Sequence, residues 1–372
     1  MFKTTTIAAA TVALAMVTGS AGAKEISYGH YLPPNYGAIK DGLLPFFDRV
    51  TDATNGDITF EGFFGGAMGG PKELLDAIGS NTVNAGGIVD AYVQSSIPTS
   101  AMFGDFGRTV ASVEDMLAFS AAASEVQLLK CPECVQDYTD NNSVLLAMVA
   151  TTPYYVMCKP EVATAADLRG RKVRASGAPG ILIRDLEAVP VSISSTEMYE
   201  AMQRGQADCT TGAASWLEEA NLGEFVRSMI DEPIFAYVSA GRLIFNLDTW
   251  HDLPQEERDA IVAEIPKLIA DSNFVVIEEA DTAIENTVAR GMQIFEADDA
   301  FVSAVETYRS GAWSDAIAAA ERRGVDAGVA SRIVEDFQAS VEKWRGIMAE
   351  IGLDRAAYED ALQREIYSKL DY

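Results

Sequence analysis

Thr164 to Trp216 reads TAADLRGRKVRASGAPGILIRDLEAVPVSISSTEMYEAMQRGQADCTTGAASW, and the order of its parts decides the fold. Asp167 to Gly170 forms a tight turn, because glycine adopts a backbone angle that most residues resist. Lys172 to Ala175 is a short strand in which Val173 and Arg174 face opposite sides. Gly177 to Gly180 opens a helix running through Glu187, with Pro179 suited to its first turn. A second strand, Val189 to Ile193, leads through Ser194 and Glu197, a capping-box pattern, into a helix ending at Gly205. A further strand begins at Ala207 to Thr211. Strand, helix, strand, helix, strand predicts an α/β fold, a mostly parallel sheet covered by helices.

Ligands of such sheets sit beyond the carboxyl ends of the strands. Arg174 ends its strand just before a Gly-rich helix entrance. A guanidinium there can fork two hydrogen bonds onto one carboxylate, which lysine cannot do. The alternative is a surface arginine in an ordinary salt bridge.

Met1 to Ala23 carries Lys3, an apolar run from Ile7 to Val17 and Ala21-Gly22-Ala23, the pattern of a secretory signal cleaved after Ala23. An exported, periplasmic product is expected, and its length suits two lobes better than one core. The 55 acidic and 28 basic residues give a net charge of -27. That excludes nucleic-acid binding through phosphate contacts, which needs basic patches. It also makes an inward arginine more telling, since an anion must be drawn in against the overall field.

Cys131-Pro-Glu-Cys134 in an exported chain reads as a local disulfide. A zinc site would want two further ligands, and the chain has only two histidines, His30 and His251. Neither a metal nor a cofactor is expected. Cys158 and Cys209 fall in separate strands, and spacing leaves their pairing open.

Glu25 to Tyr31 alternates as a first strand, which puts Tyr31 at its carboxyl end. Gly37 to Thr54 is an amphipathic helix. Asp57 to Phe64 is a second strand, Pro71 to Ile78 a helix and Asn84 to Val89 a third strand. Asp90 and Tyr92 follow it, and they either reach a cleft or begin a surface loop. The intervening glycine run, Gly65 to Gly70, lacks the Lys-Ser/Thr of a phosphate loop. Ser112 to Leu129 is helical, Ser143 to Val149 a strand, and Thr151 to Met157 an extended crossing segment beside which Tyr154 sits. Phe235 to Phe245 is a return strand with Ser239 near the cleft and Arg242 structural. A long helix runs from Leu253 toward Ala289, and Trp313 to Tyr372 adds amphipathic packing helices. Trp216 is either a stacking wall or core packing, the commoner fate of a lone tryptophan.

Three segments, DLRGRKVR, STEMYEAMQRGQADC and FNLDTWHDLP (Phe245 to Pro254), resemble the DctP-type solute receptors of tripartite ATP-independent periplasmic (TRAP) transporters. GPKELLDAIGSNTVN resembles the same family's helix and turn before its third strand. The resemblance implies a two-lobed periplasmic binding protein fold, each lobe a mixed or mostly parallel sheet flanked by helices. A long helix would connect the lobes. Lobe I would comprise 24–151 with a returning segment about 242–290, and lobe II 152–241 with a C-terminal helical segment about 291–372. It further implies a monomer that closes on a small organic acid and docks on small and large membrane permease subunits. Two positions depart from the pattern. Tyr154 falls where some acid-binding relatives carry another arginine, and Gly212 where some place an amide, a role left to Thr211 or Trp216. These departures lean toward one carboxylate clamp and a less charged, partly apolar monocarboxylate.

The sequence favours a receptor over an enzyme. Two histidines give a Ser-His-Asp triad little support, and no H-E-x-x-H, P-loop or nicotinamide fingerprint occurs. Two other functions remain distinct in class: a receptor for an ATP-driven importer or sensor, and a periplasmic hydrolase or lyase.

Overall fold

Residues 23–370 are described by the computed structural model of the chain. The expected signal segment therefore lies outside the described residues, apart from Ala23. Among the described residues eleven strands form two sheets: β1 (Lys24–His30), β2 (Ile58–Phe63), β3 (Ala85–Ile88), β4 (Ser143–Val149), β5 (Tyr154–Cys158), β6 (Lys172–Arg174), β7 (Val189–Val191), β8 (Cys209–Ala213), β9 (Ser228–Phe235), β10 (Ala240–Asn246) and β11 (Gln293–Glu296). The first sheet has the order β2-β1-β3-β10-β4, the second β11-β9-β5-β8-β6-β7. Each belongs to one lobe of a mixed α/β fold with helices on the sheet faces.

Each sheet has one strand antiparallel to its neighbours, β10 in the first and β5 in the second. Both are strands by which the chain enters a sheet from the other lobe. A strand arriving from the cleft starts there, whereas parallel strands such as β1, β3, β6 and β8 end there. The crossings are tied together: Thr151 N–H donates to the Tyr237 carbonyl (2.8 Å) and Tyr237 N–H to the Thr151 hydroxyl (3.0 Å).

Several local expectations change. The return segment is two strands rather than one, because the chain crosses lobes between Phe235 and Ala240. Pro233 interrupts the apolar alternation of β9, and the sheet tolerates it in a stretch where the register with β5 shifts. The long helix is two, Gln255–Ala263 and Ile265–Ala289, with Pro266 in the first turn of the second. Proline lacks the N–H that would continue the first. The capping box at Ser194 does not form. Its hydroxyl donates to the Glu197 carboxylate (2.6 Å), and the helix starts at Met198.

The C-terminal segment divides between the lobes: β11 pairs with β9 in the second sheet, as expected, whereas the last long helix lies on the first lobe. The helix Ala327–Ile351 packs on Val113–Leu129 of the first lobe. Phe337 stacks on Phe106 with ring centroids 4.6 Å apart. Glu125 accepts from Trp344 Nε1 (2.7 Å) and Ser340 Oγ (2.9 Å). The apolar spacing Ala330, Ile333, Val334, Phe337 specifies a buried stripe, and it is buried. Spacing carries no information about which lobe receives it.

Cys131 and Cys134 form a disulfide, with Cys131 capping the helix Pro132–Asp140. Cys158 and Cys209 form another, because they face each other across β5 and β8.

Candidate functional site

Between the sheets, where the carboxyl ends of β1, β3, β6 and β8 meet the starts of β5 and β10, lies a cavity. It offers ≈ 100 Å³ to the centres of water-sized molecules. One water needs only about 10–15 Å³ by that measure, so a compact organic molecule fits. Two hydrogen bonds close the lobes over it: Ser195 N–H to the Tyr92 hydroxyl (3.1 Å) and Gly37 N–H to Glu219 Oε1 (2.9 Å).

Arg174 lines this cavity and is 2 % exposed. The alternation of β6 turns Val173 into the core, and Gly177, at φ 70°, turns the chain back into the next helix. The Arg174 Nε donates to the Ile193 carbonyl (2.9 Å) and Nη1 to the Thr211 carbonyl (3.4 Å). Its guanidinium carbon lies 5.6 Å from the Trp216 ring centroid. No carboxylate pairs with it among the described residues. A buried cation without a counter-ion is costly, and these carbonyls and the aromatic face offset only part of that cost.

Six aromatic side chains, Tyr31, Tyr36, Tyr92, Tyr154, Trp216 and Tyr237, line the cavity. Tyr154 lies 5.2 Å from Trp216, and Tyr31 lies 6.0 Å from Tyr92, edge on. Burial pushes the hydroxyl pKa of Tyr31, Tyr36, Tyr154 and Tyr237 upward, so all four remain neutral donors.

Five of the expected residues, Arg174, Tyr154, Trp216, Tyr31 and Tyr92, thus converge. The other three stand one layer back. Thr211 is fully buried, and its hydroxyl donates to the Arg174 carbonyl (3.3 Å), so it positions the arginine without facing the cavity. Asp90 is buried beneath Tyr237, whose hydroxyl donates to it, and Ser239 donates to its other oxygen (3.0 Å). Burial raises the Asp90 carboxyl to about 7. Gly212 is explained by Trp216, because a Cβ there would meet the indole at 2.5 Å.

Sequence reading missed His30, Tyr36, Glu219, Tyr237 and Ser195, and took Arg242 as structural although it lines the cavity. The available signal was position: His30 ends a strand, Arg242 begins one, and Tyr237 lies on a crossing. Among the described residues no cluster of His, Cys, Asp and Glu could hold a metal.

Residues 28–317 match the family "Bacterial extracellular solute-binding protein, family 7" (DctP). A curated relative, the uncharacterized protein YiiZ of Salmonella typhimurium, is 23% identical over 197 residues, 51% of this chain and 57% of that protein. The chain thus spans less than two thirds of that relative's length. A TRAP periplasmic solute binding protein of Bordetella bronchiseptica, solved with (R)- and (S)-mandelate, superposes with TM-score 0.72 at 21% identity, covering 86% of this chain and 99% of that one. A TRAP solute binding protein of Rhodoferax ferrireducens, solved with copurified benzoate, gives 0.74 at 18% identity, covering 87% and 99%. The chain therefore belongs to the DctP family of bacterial extracellular solute-binding proteins, a family of substrate-binding receptors rather than enzymes.

Proposed function

We propose that this chain is the periplasmic receptor of a TRAP transporter that captures a compact, partly apolar monocarboxylate between its lobes and delivers it to the membrane permease subunits. The observation that carries this reading is Arg174: a guanidinium almost wholly buried, facing a cavity and paired with no acid among the described residues. A carboxylate entering that space supplies the missing counter-charge. The exclusion of water by closure strengthens the contact. Aromatic walls suit an apolar body, and the two solved relatives that hold mandelate and benzoate support the same chemical class. The ligand favours the closed state only by the contacts it adds there, bridging Arg174 on one lobe and the rings of the other.

Thermal-shift screening against organic acids, followed by mass spectrometry of copurified ligand, tests the class. A true ligand raises the melting temperature by mass action. Substituting Arg174→Ala should weaken binding by about tenfold to a hundredfold, the equivalent of ~1.5–3 kcal/mol for a charge-assisted hydrogen bond. Unchanged affinity in calorimetry removes Arg174 from the mechanism, and retention of a dicarboxylate removes the monocarboxylate.

A further inference from the structure

The first lobe holds a second guanidinium against the same cavity. Arg242, at the start of β10, is 6 % exposed and in no ion pair among the described residues. Its Nε is shut away from solvent without an acceptor. Its Nη1 lies 3.1 Å from His30 Nε2.

The tautomer of His30 makes this contact informative. His30 Nδ1 accepts the Leu32 N–H (3.0 Å), so that nitrogen carries no proton. A neutral imidazole then carries its proton on Nε2, the atom facing the Arg242 donor. Protonating both nitrogens is opposed by burial and by the Arg242 charge, both of which push the His30 pKa down. If Nε2 accepted from Arg242 instead, Nδ1–H would point at the Leu32 N–H. The contact from Leu32 therefore selects the Nε2–H tautomer, in which N–H groups outnumber acceptors at the cavity wall. Gly87 is shaped to this placement: a Cβ there would meet the His30 ring at 2.6 Å. The one acid lining the cavity, Glu219, does not relieve the surplus, since its oxygens serve Gly37 N–H (2.9 Å) and the Ser215 hydroxyl (2.8 Å).

We infer that Arg242 and His30 form a second acceptor-binding position, and that the ligand is a monocarboxylate carrying a neutral oxygen acceptor (hydroxyl, oxo or amide carbonyl) away from its carboxylate. This rests on the receptor reading above and narrows it. Charge selects a neutral second group. The lining carries Arg174 and Arg242 against Glu219, two positive charges and one negative, and one carboxylate neutralises the remainder. A second carboxylate would leave a buried excess negative charge. The ligand then spans the lobes, its carboxylate on β6 and its second oxygen at β10 and β1.

Calorimetry on the ligand-free protein compares benzoate, phenylacetate and cyclohexanecarboxylate with their ring-hydroxylated or ring-oxo derivatives at each position, and with the three phthalates. At least one hydroxy or oxo acid should bind about tenfold or more tighter than its parent. Arg242→Met should bring that pair to within about twofold of each other, with both acids weakened by the loss of its charge. Preference that survives Arg242→Met, its absence from the wild type, or tighter binding of a phthalate each overturns the inference. Binding of the plain acids, weakened by Arg174→Ala as above, would still stand for the receptor reading in those cases. If the wild type binds no acid at all, the receptor reading itself falls, and this inference with it.

Should Arg242→Met fail to fold, nitrogen NMR of the two imidazoles, one from buried His30 and one from exposed His251, decides on the unmodified protein. His30 should show the Nε2–H tautomer, with its Nε2 resonance moved by the preferred hydroxy or oxo acid and not by the parent. An Nδ1–H or doubly protonated ring overturns the inference, as does equal response to both acids.

Discussion

Arg174 shows how one side chain is held ready for an anion without being neutralised beforehand. Backbone carbonyls of Ile193 and Thr211 orient its fork, and Trp216 covers it, so its direction is set before any ligand arrives. That is pre-organisation, which lowers the entropy cost of binding. Trp216 in turn depends on Gly212, because an added Cβ would lie 2.5 Å from the indole. Gly212→Ala should therefore swing the ring toward the cavity. The expected cost is about 1–3 kcal/mol of overpacking, felt as weaker ligand binding and shifted indole fluorescence. An unchanged emission maximum with unchanged affinity would count against this role for the glycine.

Among the elements, β5 and β8 form a seam of the second lobe, since β5 is entered from the cleft and supplies Tyr154 while β8 supplies the floor under Arg174. Cys158 and Cys209 staple them across 51 residues of sequence, whereas Cys131 and Cys134 are only 3 apart. The chain-entropy cost of closing the longer loop implies about 4 kcal/mol of stabilisation, against about 2 for the short one. Urea unfolding of the paired Cys158→Ala and Cys209→Ala variant should lose roughly twice the free energy lost by the Cys131→Ala and Cys134→Ala variant. The reverse ranking would show that native contacts, not loop closure, dominate.

At the scale of the molecule, three parts meet at one place. Gly37 of the first lobe, Glu219 of the second and Glu279 of the connecting helix Ile265–Ala289 are packed so tightly that a Cβ on Gly37 would overlap the Glu279 carboxyl. Burial first, then the charges of Glu219 and Asp41 against that of Lys40, raises Glu279 from 4.5 to about 7. The folded state thus binds a proton that the unfolded chain releases. The stability this adds is complete below the ordinary value of 4.5 and is lost as pH rises through about 7. Asp90 acts in the same direction, raised by burial from 3.8 to about 7. Glu365, lowered to about 2 by hydrogen bonds from Arg364, Lys343 and Lys369, contributes at the acid end only. The melting temperature of the ligand-free protein should fall between about pH 5 and pH 8, and Glu279→Gln should flatten part of that fall. An identical slope in the variant would place the titration elsewhere.

From the sequence alone came the α/β grammar, the strand-end position of Arg174, the buried stripe Ala330 to Phe337 and the receptor family. Each is written in short-range periodicity, turn chemistry or a motif, which local residues specify. Only the tertiary structure decided which lobe received the C-terminal helices, that Cys158 faces Cys209, and that Asp90 and Ser239 stand behind Tyr237 while Arg242 and His30 face the cavity. Those outcomes depend on how β5 and β10 re-enter the sheets from the cleft. A crossing brings together residues some 200 positions apart, such as His30 and Arg242 with |i−j| of 212, and no local pattern encodes that encounter.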